Sequence, residues 1–248
     1  MRARLRPCYW LALGALLLCG CDLSHGKPGK DSDVPAPDEI LDFNILYAEN
    51  CAGCHGAAGR GGAAIALADP VYLAIANEEA MRRVTAEGVR GTSMPAFAQS
   101  AGGMLTDKQI DVIITQIRAH WARPGILAGV EAPSYENLRK SPGDAASGGL
   151  VYKTYCESCH GAEGRGSQKG SAITDGAFLS LVSDQGLRTI VIAGRPELNA
   201  PDWRGNVPGK PMSDQEVTDV VAWLVSKRVQ SPGQPYPATQ NTSTPGAR

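Results

Sequence analysis

Apolar residues recur with helical spacing in two widely separated stretches. Ile110, Ile113, Ile114, Ile117 and Trp121 fall on one helical face, and Val217, Val220, Val221 and Leu224 form the corresponding face of a second helix. Each stretch opens on a capping-box pattern, Thr106 with Gln109 and Ser213 with Glu216, so each start is predicted to satisfy its own backbone donors. Many of these residues are β-branched, which makes local helix propensity modest and leaves the apolar stripe dependent on a packing partner. The predicted partners are upstream helices carrying Phe43, Leu46 and Tyr47 in one case, Val151 and Tyr155 in the other.

Those upstream helices run into the same pentapeptide pattern, Cys51-Ala52-Gly53-Cys54-His55 and Cys156-Glu157-Ser158-Cys159-His160. Beyond it, His55-Gly56-Ala57-Ala58-Gly59-Arg60-Gly61 answers to His160-Gly161-Ala162-Glu163-Gly164-Arg165-Gly166. With one residue of slippage, Asp69, Leu73 and Gly88 answer to Asp175, Leu179 and Gly194. Such self-similarity marks an internal duplication. The expected organisation is all-α: one domain over 40–123, a linker over 124–143 with Pro133, Ser134, Ser141 and Pro142, and a second domain over 144–230. Residues 21–39 read as a flexible tether and 231–248 as a disordered tail, both rich in polar residues, Gly and Pro without hydrophobic period.

Composition narrows the class. A formal net charge of -1 over 248 residues argues against a nucleic-acid or polybasic membrane surface. With 6% aromatic residues, two such domains have thin cores, the situation in which a bound cofactor often supplies missing stability. Arg2, Arg4 and Arg6 precede an apolar run from Tyr9 to Leu18, too short for a bilayer span and suited to a signal peptide over 1–20. Its end, Leu18-Cys19-Gly20-Cys21, resembles a bacterial lipobox, with Cys21 as the lipidated residue; an ordinary cleaved signal is the alternative. Cysteine arithmetic fits lipidation: Cys8 and Cys19 leave with the signal, four Cys sit in the pentapeptides, and Cys21 takes the lipid.

Two thiols three residues apart on a helical turn can each add to one haem vinyl group, while the adjoining imidazole reaches the iron. A thioredoxin-like motif would need a βαβ setting and a shared zinc would need the two pairs to meet; neither accounts for a His after each pair. A helix ending in Cys-x-x-Cys-His, shorter middle helices, a loop and a terminal amphipathic helix resemble the class I cytochrome c fold. The resemblance covers both repeats and is closest to small bacterial dihaem carriers and the dihaem subunits attached to haem–copper oxidases. It implies two covalently bound haem c groups, on Cys51, Cys54 and His55 and on Cys156, Cys159 and His160, with each His as proximal iron ligand.

The resemblance also implies a Met in the loop before the last helix as sixth ligand. Met94, in Gly91-Thr92-Ser93-Met94-Pro95, fits; a core-filling role is the alternative. In the second repeat the same register holds Ala200, in Ala200-Pro201-Asp202-Trp203. Three outcomes follow for the second iron: a shifted loop carrying Met212 to it, another ligand, or an open position, with Met212 the expectation because Gly205, Pro208, Gly209 and Pro211 give that loop unusual shape. His120 is read as a cap of its own helix C-terminus and His25 lies in the tether. Arg60 and Arg165 are candidates for haem propionates or for plain surface positions, and the glycines after each motif for tight turns, not a phosphate loop. No Pro lies between His55 and Pro70 to mark the carbonyl that usually holds the proximal imidazole in this family.

Two functions compete. The first is a membrane-tethered periplasmic carrier, on the inner membrane, passing single electrons in a respiratory chain. Its partners would be a quinol-oxidising complex or dehydrogenase on one side and a terminal oxidase or soluble cytochrome on the other; free shuttle and complex subunit fit the sequence equally. The second is peroxide reduction or gas sensing at an open second haem, with Glu197 and Asp202 as the nearby carboxylates. The first is preferred because no catalytic acid, base or nucleophile constellation is evident.

Overall fold

Side-chain caps set where nearly every helix of the chain begins. The computed structural model describes residues 35–137 and 142–229. The expected signal segment, Cys21, His25 and the expected C-terminal tail from 231 lie outside the described residues. Residues 1–39 form a unit separate from 40–248, and its described part is a single 3-10 turn, Pro37–Glu39.

In the larger unit the first repeat contains α1 (Phe43–Asn50), α2 (Ala52–His55), α3 (Pro70–Ile75), α4 (Glu78–Glu87) and α5 (Asp107–Trp121). The second contains α6 (Ala145–Tyr155), α7 (Glu157–His160), α8 (Gly176–Leu181), α9 (Asp184–Ala193) and α10 (Asp214–Ser226). Asp42, Asp69, Asn77 and Thr106 cap α1, α3, α4 and α5; Asp144, Asp175, Ser183 and Ser213 cap their counterparts. Each cap oxygen accepts from a backbone N–H three residues on, worth about 1 kcal/mol relative to Ala. Both capping boxes form in full. Among the described residues there is no strand, only two isolated bridges, Ala98 with Leu105 and Arg195 with Ala200.

Ile110, Ile113, Ile114 and Ile117 of the α5 stripe are buried and Trp121 is half-buried, while Val217, Val220, Val221 and Leu224 are buried on α10. Their partners are the upstream helices. Tyr47 of α1 meets Trp121 edge-on at 5.3 Å, whereas Tyr152 of α6 stacks on Trp223 at 4.3 Å. Sequence reasoning named Val151 and Tyr155 on α6; Tyr152, at the position of Tyr47 in the repeat, is the more deeply buried contact. The hydroxyls of Tyr47 and Tyr152 donate to the carbonyls of Gly56 and Gly161, tying each crossing to the end of the short helix α2 or α7.

A second pair of matching contacts uses arginines. Arg118 of α5 donates to the carbonyls of Leu73 and Ala76, which α3 leaves unpaired at its C-terminus. In the second repeat Arg228, just beyond α10, donates to Leu179 and Val182, the counterparts of those two residues. The same carbonyls are thus satisfied from different positions along the last helix.

The segment expected to act as a linker is clamped where it is described. Ser134 donates from its N–H and hydroxyl to Asp214, its carbonyl accepts from Arg188, and the Tyr135 carbonyl accepts from Gln185. Tyr135 also packs edge-on against Tyr72 of the first repeat at 6.5 Å, and Glu136 pairs with Arg83 at 2.7 Å. Arg188, 3% exposed, further donates to Thr218 and pairs with Asp214. These contacts and the packing of α9 on α3 join the two repeats into one body.

Candidate haem sites

Each motif begins where a helix gives out. Cys51 is the C-cap of α1 and N-cap of α2, with φ -118° and ψ -38°; Cys156 does the same between α6 and α7 with φ -121° and ψ -32°. The intervening turn separates the two Cys by three residues and leaves Cys54 and Cys159 exposed, with Cys51 and Cys156 half-buried. None of the four is joined in a disulfide.

The two motif imidazoles are held alike. His55 Nδ1 lies 2.8 Å from the Ile65 carbonyl, and His160 Nδ1 lies 2.8 Å from the Ser171 carbonyl. A carbonyl only accepts, so Nδ1 carries the proton and the Nε2 lone pair is left for iron. These are the partners no Pro announced in the sequence. Burial moves His55 below the ordinary imidazole value, with the Ile65 hydrogen bond opposing and the Arg195 charge adding, so the ring is held in the neutral form that ligates.

The loop after each motif folds back beneath it. Ala64 N–H donates to the Cys54 carbonyl in the first repeat; in the second, the Ser167 hydroxyl donates to the Cys159 carbonyl. A Cβ at Gly62 would stand 2.1 Å from the Cys54 oxygen, so only glycine permits this approach.

The chemistry of the thiols separates the readings of the motif. Burial, then the neighbouring thiol, pushes Cys51 up to about 11 and Cys156 up to about 12. A redox-active Cys-x-x-Cys needs the opposite shift. Among the described residues no group of three or more His, Cys, Asp or Glu is placed to hold a metal, so the two pairs do not meet as a zinc site. A thiol pair one turn apart, a neutral imidazole with free Nε2 and a glycine-lined approach fit covalently attached haem c.

The loops preceding the last helices show where the repeats diverge. Val89 N–H donates to the Met94 carbonyl at 2.9 Å, and Arg195 N–H donates to the Ala200 carbonyl at 2.9 Å. Met94 is half-buried. Met212, expected as the second domain's axial Met, is 2% exposed; its N–H donates to the Trp203 carbonyl as Leu105 N–H donates to that of Phe97. The structure therefore sets Met212 in the place of Leu105, directly before the N-cap.

The remaining candidates are accounted for. His120 Nδ1 lies 2.8 Å from the Gln116 carbonyl of its own helix, and its ring stacks on Phe43 at 5.1 Å. Arg60 donates to its own loop at Ala68, and Arg165 is exposed. Glu197 pairs with Arg195 at 2.5 Å and Asp202 with Arg204 at 2.6 Å. One contact had no sequence signal: Arg195, in the loop of the second domain, donates to the Gly62 carbonyl at 2.9 Å, joining that loop to the turn beneath the first motif.

Comparison with known proteins gives the same answer. The chain is 31% identical over 151 residues to the Cbb3-type cytochrome c oxidase subunit CcoP of Azospirillum sp. (strain B510), a match covering 54% of this chain and 45% of that protein. It is 29% identical over 133 residues to the subunit FixP of Sinorhizobium medicae (strain WSM419), covering 50% and 39%. The matches thus span less than half the length of either relative. Among solved structures, the Kuenenia stuttgartiensis reducing HAO-like protein complex Kustc0457/Kustc0458 aligns over 79% of this chain and 100% of its own, at 19% identity and a TM-score of 0.44. The family described as cytochrome C oxidase, cbb3-type, subunit III matches twice, over residues 39–115 and 143–224, and the chain belongs to that cytochrome c family.

Proposed function

We propose that this protein carries two haem c groups, attached through Cys51 and Cys54 and through Cys156 and Cys159, and passes single electrons in a respiratory chain. The observation that carries the reading is the repetition of one complete attachment geometry: a thiol pair on a helical turn and a His fixed at 2.8 Å by a backbone carbonyl, twice. Bound haem supplies a one-electron couple. With haem bound, the chain would supply orientation through the Ile65 and Ser171 carbonyls, the Met94 thioether as a further ligand favouring ferrous iron at the first site, and a contact between the sites through Arg195 and Gly62.

The cbb3-type relatives support a terminal oxidase as acceptor, with a quinol-oxidising complex or dehydrogenase as donor and a soluble cytochrome as the other candidate partner. Attachment to the periplasmic face of a bacterial inner membrane through lipid at Cys21 completes the reading; among the described residues no helix is long and apolar enough to cross a membrane. The test is a potentiometric titration followed by mixing the reduced protein with oxidase-containing membranes. Two reversible one-electron waves and reoxidation by the membranes are expected. A single wave, or a reduced protein indifferent to the membranes, overturns the proposal.

A further inference from the structure

We propose that the second haem takes no sixth ligand from the described residues and is the binding site for a small neutral diatomic, of the carbon monoxide or nitric oxide class. The inference rests on the haem reading of Cys156, Cys159 and His160.

The register of the loop is fixed by main-chain contacts. Beyond the shared hydrogen bond closing on Met94 or Ala200, a Cβ on Gly88 would lie 2.6 Å from the Pro95 carbonyl carbon, and one on Gly194 would lie 2.5 Å from that of Pro201. Each loop is pressed onto the equivalent glycine of its own repeat, so the second holds the same register as the first. Where the first domain offers a thioether, the second offers a methyl group.

Met212 stands at a different register position, that of Leu105 and not that of Met94. It lies at the residue before the N-cap, sealed to 2% exposure, with its N–H on Trp203 and the capping box of Ser213 and Glu216 following immediately. Several polar groups of the loop are engaged: Arg195 with Glu197 and Gly62, Asp202 with Arg204, and the Lys210 ammonium 5.4 Å above the Tyr155 ring. His120 belongs to the other domain and is bound to its own helix.

The same engagement selects the ligand. Peroxide cleavage asks for a free acid or base beside the iron, and both nearby carboxylates are neutralised by arginines. A neutral π-accepting diatomic on ferrous iron needs no proton and no counter-charge. Its binding would hold the second haem ferrous and so remove it from the electron relay.

The test uses the full-length, haem-loaded protein. A pyridine haemochrome first counts covalent haem; carbon monoxide difference spectra and spin state are then recorded after reduction. The expected result is one carbon monoxide bound per two haems. Ala200→Met should weaken that binding at least tenfold, Met94→Ala should double the reactive fraction, and Met212→Leu should leave the parent spectrum unchanged. Two low-spin haems without a carbon monoxide shift, or reactivity that appears only in Met212→Leu, would overturn the inference while leaving the haem reading intact. Absence of haem on the second motif would overturn both.

Discussion

Replacing Gly148 by Ala tests whether the crossing of α6 and α10 is as close as the structure has it. An added Cβ at Gly148 would lie 2.0 Å from the Asp219 carbonyl oxygen, 2.6 Å from its carbon and 2.8 Å from the Trp223 Cβ. Two of these are backbone atoms and cannot rotate away, so the helices must part by about 1 Å before the contact becomes tolerable. Overpacking of this kind costs about 1–3 kcal/mol, and the close approach puts this site near the upper value. Alanine recovers about 1 kcal/mol of helix propensity, leaving a net loss of about 2 kcal/mol. For a body made of both joined repeats that is a fall in Tm of about 4–8 °C. Gly149 is the internal control. Its added Cβ would meet only the Trp223 ring at 3.4 Å, an ordinary contact, so Gly149→Ala should gain up to about 1 kcal/mol. Thermal melts of both variants followed at the haem absorbance decide the matter. A Gly148→Ala protein as stable as its parent, or two variants that behave alike, would refute the close crossing and with it the geometry that delivers Cys156 at the end of α6.

Three further outcomes follow from particular contacts. Arg195→Gln removes a cation that bears on His55 and leaves Glu197 unpaired; the potential of the first haem should fall by tens of millivolts, roughly, and an unchanged potential would show that the bridge is electrically silent. Arg188→Leu should cost about 2–3 kcal/mol in denaturant melts, less than a fully buried pair, because Asp214 is one-third exposed and can rehydrate; a neutral result would mean that the Ser134 clamp does not depend on it. Burial alone would raise the Glu216 pKa, but hydrogen bonds from the Ser213 N–H and hydroxyl and from Tyr155 outweigh it and hold the carboxyl below its ordinary value. Its stabilising contribution is therefore complete above the unfolded value and lost as pH falls through the depressed one. Glu216→Gln should remove that part of the acid dependence, and an unaltered acid melt would contradict the assignment.

The sequence was most legible where structure is local. The capping boxes and the buried stripes of α5 and α10 rest on residues a few positions apart, whose side chains advertise their role. What escaped lies on the main chain or between distant segments. The carbonyls of Ile65 and Ser171 hold the two imidazoles, yet no side chain marks a carbonyl as an acceptor. Gly148 and Gly149 read alike as weak helix formers, and only the neighbouring helix distinguishes them. Pro133 and Pro142 suggested a plain linker, whereas Ser134 and Tyr135 between them are gripped by α9 and α10 across large sequence separations. Tyr152 was within reach, because the repeat that relates Cys51 to Cys156 also relates Tyr47 to Tyr152.

The account depends above all on covalent haem at both motifs. Intact mass spectrometry of the protein expressed with haem-attachment machinery, combined with alkylation of free thiols, tests this directly. The parent should carry two haems that acidic acetone does not extract, with Cys51, Cys54, Cys156 and Cys159 closed to alkylation, and each double Cys→Ala variant should retain one. A polypeptide of unmodified mass whose four thiols all react would contradict the account.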